Sequence, residues 1–267
     1  QIPATGEMAE ASESEPAAVS ESSPAPPSTS SFIAREIASG TVQTIESDPS
    51  DIGYLHCGPY YGRLEPSDER YIARQEILLL HGARFAKDEW QNSGLLDQIC
   101  EKGGEYAKLS VTAIDLKSHA DAASLGAAIA GLSAEGIVTG RPLVVVTPTA
   151  SGKAVVSAAQ ADIAEGVASA SDEGSLLGKL LQAWVPIGIG WMNIISDDVF
   201  ERFDQIPILS IHGSRDNPGR LLSHRLEQLA KATVFQLEGD NQCFFDSPDL
   251  FVDKLISFIN QVVQPGG

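Results

Sequence analysis

Residues 77–94 read ILLLHGARFAKDEWQNSG and set the pattern for most of the chain. The consecutive apolar residues at the start predict a short buried strand, and Gly82 predicts a turn directly after it. A helical stretch is predicted to follow at residues 89–102. Such an apolar strand with a helix close behind it is the repeating unit of a parallel sheet that is covered on both faces.

The same unit recurs to the end of the sequence, which predicts an α/β fold with a mostly parallel, twisted sheet flanked by helices. Further strands are expected at residues 108–114, 142–146, 182–187, 207–212 and 233–237. Further helices are expected at residues 120–135, 152–159, near 196–202, 219–230 and 248–262. An antiparallel pair at residues 41–45 and 52–61 is expected to open the sheet. Residues 161–173 have no clear period and are interpreted as a lid or an insertion.

Residues 1–31 differ in composition from the rest of the chain. They are dominated by Ala, Ser, Pro and Glu, with five Glu and no Lys or Arg. Such a segment cannot bury enough apolar surface to offset the entropy lost on ordering. We expect a disordered acidic tail at 1–31 and one domain at 32–267. An alternative is that the tail orders on a partner and acts as a tether.

The net charge, the number of cysteines and the lengths of the apolar runs argue against several classes of protein. A net charge of −18 disfavours nucleic acid and anionic membranes as partners, because those binders need Lys and Arg. Three widely spaced cysteines form neither a disulfide framework nor a zinc pattern, so no metal or cofactor is expected. No apolar run reaches the ~18 residues of a membrane span. The chain begins at Gln1, from which we expect a processed protein of an organelle, a plastid or a mitochondrion.

Several motifs occur in a defined order along the chain. They are His81-Gly82 after the first buried strand, Arg84-Phe85, WQN at 90–92, VTAIDL at 111–116, WVP at 184–186, ILSIHGSRD at 208–216 and GDNQCFFDSP at 239–248. This ordered set resembles the abhydrolase-domain-fourteen group of α/β-hydrolases over roughly residues 38–263. One departure follows Asp115, where the group usually has PGxGxS and this chain has KSH.

The resemblance implies a nucleophile, an acid and a histidine in chain order, and an oxyanion pocket formed by the N–H groups of Ala83 and Ala150. The nucleophile position after the 142–146 strand is Thr149, where the group has Ser. Threonine is stiff at χ1 and unusual on the strained turn that this position requires. A register shift of two would make Ser151 the nucleophile, although a serine there is commonly a helix cap. Lys153 stands where the group has a neutral residue.

The acid position is Asp216, and the histidine position is Asn241. Asn241 can form a hydrogen bond with Asp216, but an amide has no basic lone pair to accept the nucleophile's proton. His81 is expected to brace the HG turn, and His212 is the remaining candidate for a surrogate base. We expect the other three histidines to be solvated or packed: His56 on an edge strand, His119 in a loop and His224 on an outer helix.

Three functions remain open on this basis. The first is a non-catalytic α/β-hydrolase homologue that acts as a binding, scaffolding or accessory subunit, with protein partners in a multi-subunit complex. The second is a hydrolase or acyltransferase on a small ester, thioester or amide, using Thr149 or Ser151 with an atypical base. The third is a small-molecule receptor that uses the old pocket. The first is favoured, because two of three triad positions are altered.

Overall fold

The computed structural model describes residues 37–43, 51–58, 75–106, 109–117 and 119–262. The predicted tail at residues 1–31 lies outside the described residues. So do the last residues of the predicted strand 41–45 and of the predicted strand 52–61.

Eight strands form one sheet in the order β1-β2-β4-β3-β5-β6-β7-β8. The pairs β1–β2 and β2–β4 are antiparallel, and the remaining pairs are parallel, as the sequence predicts. The strands are β1 (Ala38–Gln43), β2 (Asp51–Cys57), β3 (Gln75–Leu79), β4 (Leu109–Ile114), β5 (Leu143–Pro148), β6 (Leu181–Ile187), β7 (Leu209–Gly213) and β8 (Thr233–Leu237).

Nine helices among the described residues cover the sheet. They are α1 (Asp88–Asn92), α2 (Leu95–Tyr106), α3 (Ala122–Ala134), α4 (Gly152–Ala164), α5 (Leu176–Leu180), α6 (Asp197–Glu201), α7 (Asn217–Ala230), α8 (Cys243–Asp246) and α9 (Pro248–Val262). Two short 3₁₀ turns, Thr149–Ser151 and Gly190–Ile194, follow β5 and β6. Across the described residues, no helix combines the length and the apolar character needed to cross a bilayer.

The core lies in two layers, one on each face of the sheet. Side chains of α3 to α7 contribute to one layer, and side chains of α1, α2, α8 and α9 contribute to the other. In β5, Val145 points into the first layer while Val144 and Val146 point into the second. Because successive strand residues face opposite sides, this fully buried strand must be covered on both faces. The predicted adjacency of this strand to β3 is confirmed.

The predicted helix at 89–102 is two helices. Gly94 adopts a left-handed φ of 74° and separates α1 from α2. A left-handed residue ends an α-helix, because the next turn can no longer continue the hydrogen-bond ladder. The helix predicted at residues 152–159 is longer than expected. It continues to Ala164, so that α4 has 13 residues.

The segment 161–173, interpreted from the sequence as a lid or an insertion, comprises the last residues of α4 and part of the loop that follows it. The buried carboxylate of Asp162 accepts hydrogen bonds from Ser175 Oγ at 2.6 Å and Leu176 N at 2.7 Å. Arg202 Nη1 donates to the carbonyl oxygen of Val167 at 2.7 Å. These contacts hold the segment at the C-terminal end of α4, about 20 Å along the helix from its start. The elbow lies at the other end of α4.

The sequence predicts His56 on an edge strand, but the strand that carries it, β2, is not at the edge of the sheet. β2 is paired with β1 on one side and with β4 on the other. The imidazole is 1% exposed, and its Nδ1 lies 2.9 Å from Thr112 Oγ1. The added strand β1 covers the edge that β2 would otherwise have formed.

Candidate functional site

Thr149 sits on a sharp turn between β5 and α4. Pro148 has extended backbone dihedrals, and Thr149 then adopts a φ of 48°. Among the described non-glycine residues, only Thr149 and Lys231 have a positive φ. A β-branched residue is strained in this region, and such strain at a strand-to-helix turn is the geometry of a nucleophile elbow. The residue at which the sequence predicts the elbow thus lies on a strained strand-to-helix turn.

The Thr149 hydroxyl faces the loop that follows β3. A β-carbon added at Gly82 would lie 3.0 Å from Thr149 Oγ1. On the other side, Trp191 Nε1 donates to the carbonyl oxygen of Thr149 at 3.0 Å. The exposed Lys153 places its ammonium 5.4 Å from the centroid of the Trp191 ring. Trp191 thus contacts the elbow through its indole N–H. This contact was not predicted, because nothing in the run GIGWMN specifies it.

Two backbone N–H groups beside the elbow remain available. Neither Ala83 N nor Ala150 N donates a hydrogen bond to another described residue. The turn that carries Ala83 is held by His81, whose Nδ1 lies 2.8 Å from the carbonyl oxygen of Gly82. Leu116 N donates to His81 Nε2 at 3.2 Å, which leaves Nδ1 as the donor to the Gly82 carbonyl. These contacts match the bracing role expected for His81.

The stretch after β4 is tied to the same turn by a charged pair. Lys87 Nζ donates to Asp115 Oδ2 at 2.9 Å, and Lys87 N donates to Asp115 Oδ1 at 2.8 Å. The carboxylate raises the pKa of Lys87, although partial burial acts in the opposite direction. This pair was not predicted, because its partners are 28 residues apart in the sequence.

Ser151 is enclosed in the 3₁₀ turn. It is 4% exposed, and its Oγ donates to the carbonyl oxygen of Pro148 at 2.8 Å. Thr149 is half-buried by comparison. Ser151 does not cap α4 through its side chain, so the expected capping role is replaced by this bond to the strand end.

Asp216 follows β7 and caps α7. Its Oδ1 accepts a hydrogen bond from Gly219 N at 3.0 Å. Its Oδ2 is buried and accepts no hydrogen bond from any of the residues that the structure describes, a rare arrangement for a carboxylate. One carboxyl oxygen at the predicted acid position is therefore left without a donor among the described residues.

Asn241 lies in the turn between β8 and α8 and is exposed. It forms no hydrogen bond with Asp216, contrary to the expectation that the amide could replace the imidazole in this contact. The backbone explains part of the difference. Gly188 has a φ of 59°, and a β-carbon there would lie 2.6 Å from Asn241 O and 2.9 Å from Asn241 Cβ. The asparagine is thus held by its main chain against the end of β6.

His212 is 3% exposed and belongs to the layer covered by α7. Its Nδ1 lies 3.1 Å from Ser223 Oγ on that helix. Burial lowers the pKa of His212, while Gln236 and the charge of Asp216 partly oppose the decrease. Because its ring is hydrogen-bonded to Ser223 on α7 and to Gln236 on β8, the structure does not present His212 as a base for Thr149. His224 and His119 are exposed, as expected, and His224 Nδ1 lies 3.3 Å from Glu227 Oε2.

The pKa of Cys243 reflects the negative charges around Asp216. Burial raises the pKa of its thiol to about 12, and the negative charges of Asp216, Asp240 and Asp246 add to the increase. The site is thus acidic around Asp216, whereas free N–H groups and Lys153 surround Thr149. Among the described residues, no group of three or more His, Cys, Asp and Glu is arranged to hold a metal ion.

Comparison with known proteins identifies similar sequences and similar structures. No protein-family profile matches the chain. A Rattus norvegicus protein named "Putative protein-lysine deacylase ABHD14B" is 26% identical over 194 residues, covering 71% of this chain and 85% of the rat protein.

Solved structures show the same fold. A "predicted CIB-like hydrolase" of Thermoplasma acidophilum superposes with a TM-score of 0.60 at 12% identity, covering 85% of this chain and 99% of that one. Carboxylesterase CesB of Bacillus subtilis gives a TM-score of 0.55 at 10% identity, over 84% of this chain and 92% of its own. The sheet order, the elbow at Thr149 and these similarities place the chain in the α/β-hydrolase superfamily, near the proteins named ABHD14B.

Proposed function

We propose that this chain is a non-catalytic α/β-hydrolase homologue that acts by binding, as an accessory or scaffolding subunit of a protein assembly. The observation that carries the proposal is the orphaned Oδ2 of Asp216. In a working triad this oxygen accepts a hydrogen bond from the histidine that activates the nucleophile. Here the histidine position is Asn241, and the asparagine does not contact the carboxylate.

Proton transfer is the step that fails. A hydroxyl at neutral pH needs a base of suitable pKa within hydrogen-bond reach before it can attack a carbonyl carbon. An amide at position 241 cannot supply one, and the Nδ1 of His212 is engaged with Ser223. Loss of triad members costs on the order of 10⁴ to 10⁶ in rate. We therefore assign Thr149, Asp216 and Asn241 as a triad-derived set that no longer performs hydrolysis.

A second candidate is a hydrolase of an ester, thioester or amide, an acyl-lysine among them. The strained φ of Thr149 supports it, because a residue that no longer reacts has no need of that conformation. The free N–H groups of Ala83 and Ala150 would form the oxyanion pocket. The names of the similar proteins, a protein-lysine deacylase and a carboxylesterase, agree with this chemistry. In this alternative Thr149 is the nucleophile and Ser151 is the fallback.

Labelling with a fluorophosphonate probe separates the two candidates. The non-catalytic proposal predicts no labelling and no hydrolysis of p-nitrophenyl acetate above that of the matched variant Thr149→Ala. Activity that disappears in Thr149→Ala would establish the hydrolase. Activity that survives Thr149→Ala and disappears in Ser151→Ala would shift the nucleophile by two positions.

The binding role is tested by the size of the native protein. We expect it to co-migrate with other polypeptides when it is purified from its natural source under mild conditions. A lone polypeptide without partners would contradict the accessory role. If the same preparation holds a tightly bound small molecule, the third function replaces the accessory role. The protein is then a receptor that uses the pocket of the former active site.

A further inference from the structure

We propose that β8 is an interface at which two copies of this chain pair antiparallel and join their sheets. β8 is the last strand of the sheet, and among the described strands its only neighbour is β7. A strand with an unpaired edge presents a row of free N–H and C=O groups to any chain of compatible geometry. This inference does not depend on the chemistry of the elbow.

The register with β7 identifies the groups that face outward. Thr233 N donates to Ile208 O at 2.8 Å, and Ser214 N donates to Leu237 O at 2.7 Å. In a parallel ladder, alternate residues of a strand bond to the same neighbour. Residues 233, 235 and 237 therefore face β7. Val234 and Gln236 direct their N–H and C=O groups to the free edge.

The edge lacks the features that usually block pairing. The strand reads TVFQL, with no charge, no proline and no glycine. Natural edge strands are commonly protected by such residues. Within the strand, Phe235 is only half-buried, and Lys254 Nζ on α9 lies 4.5 Å from the centroid of its ring. Leu250, one turn before Lys254 on the same helix face, is 47% exposed. Two partly exposed apolar side chains, Phe235 and Leu250, are thus available near β8.

The charges at the two ends of β8 favour a second copy as the occupant. The exposed Lys231 precedes the strand, and the exposed Glu238 follows it. A two-fold axis at Phe235 would pair Val234 of each copy with Gln236 of the other, giving four backbone hydrogen bonds. The same operation brings the Lys231 end of one copy next to the Glu238 end of the other. A closed two-fold pairing of this kind uses the same patch on both subunits.

The pairing is tested by sedimentation velocity of the full chain over a range of concentrations. We expect a dimer that dissociates on dilution. Val234→Pro removes an outward N–H without removing a bond to β7, so it should weaken dimerisation at least tenfold. Thermal unfolding of the same variant shows whether it remains folded.

A second set of variants, which exchanges the charges at the two ends of β8, tests the dimer independently of Val234→Pro. Lys231→Glu alone and Glu238→Lys alone should each weaken the dimer, because each places like charges at both ends of the interface. The double variant Lys231→Glu/Glu238→Lys should restore it. Lys179→Glu, on the exposed surface of α5, is the matched control. A chain that stays monomeric at all concentrations overturns the proposal. So does a dimer that neither Val234→Pro nor the single exchanges affect.

Discussion

The hydroxyl of Thr149 faces Gly82 so closely that a β-carbon at position 82 would lie 3.0 Å from Thr149 Oγ1. This relationship joins the end of β5 to the turn after β3, two strands that are adjacent in the sheet. It brings an alcohol, a strained backbone and two free N–H groups to one place.

Thr149→Gly should increase the free energy of unfolding by about 1 kcal/mol, because glycine adopts a positive φ without steric strain. Urea unfolding measures the change. Ala150→Gly is the matched control: Ala150 has no positive φ, so glycine there should decrease stability by roughly 0.5–1 kcal/mol. A lower stability for Thr149→Gly would mean that side-chain contacts of Thr149 outweigh its backbone strain.

Gly188→Ala should be more destabilising than Gly94→Ala. Both glycines have a positive φ, of 59° and 74°, so both substitutions introduce backbone strain of about 1–2 kcal/mol. A β-carbon at Gly188 also meets Asn241, whereas nothing lies within 4 Å of one at Gly94. We expect an additional loss of about 1–3 kcal/mol at Gly188. Equal losses in urea unfolding would show that the loop around Asn241 moves aside.

His212 should make the protein less stable as the pH falls. Burial lowers its pKa in the folded state, so the unfolded chain binds the proton more readily. Its contribution is fully present above the unfolded pKa of about 6.5 and is lost as the pH falls towards the folded value. Urea midpoints between pH 8 and pH 5 should therefore fall more steeply in the unmutated protein than in His212→Asn. His224→Asn controls for removal of a surface histidine. Parallel profiles for His212→Asn and the unmutated protein would contradict the assignment.

Cys243 should resist alkylation in the folded protein. With its pKa raised to about 12, almost no thiolate exists at pH 8, and the side chain is fully buried. Mass spectrometry after iodoacetamide treatment should find Cys243 unmodified in native buffer and modified in urea. Rapid native labelling would show that the loop around Asp240 opens.

Thr149→Ser and Asn241→His should restore labelling by a fluorophosphonate probe only when combined. The serine supplies a nucleophile, and the histidine supplies both the base and a donor for Asp216 Oδ2. Triad members act as a unit, so each single variant should remain unlabelled. Adding Asp216→Asn to the pair should remove most of the gain. If the pair stays inert although folded, the loop around Asn241 does not place the imidazole within reach of Thr149.

Much of the fold could be predicted from residue order. Apolar runs such as 143–146 specify buried strands, and the adjacency of β3 and β5 and the turn at Thr149 both agree with the prediction. The break at Gly94 was missed because a single glycine within a helical pattern does not reveal its φ. The edge position predicted for His56 was wrong because β2 pairs with β4 as well as with β1, and the residue order does not reveal that second pairing.

What the sequence determined by itself is chemical: a threonine at the elbow, an aspartate after β7, and no histidine beyond position 224. What only the tertiary structure decided is spatial. Asp216 Oδ2 is without a donor, His212 is bonded to Ser223, and Trp191 covers Thr149. Residue identity limits which protons a side chain can exchange. Distance and direction between segments far apart in the chain depend on how the sheet and helices pack, which no local pattern encodes.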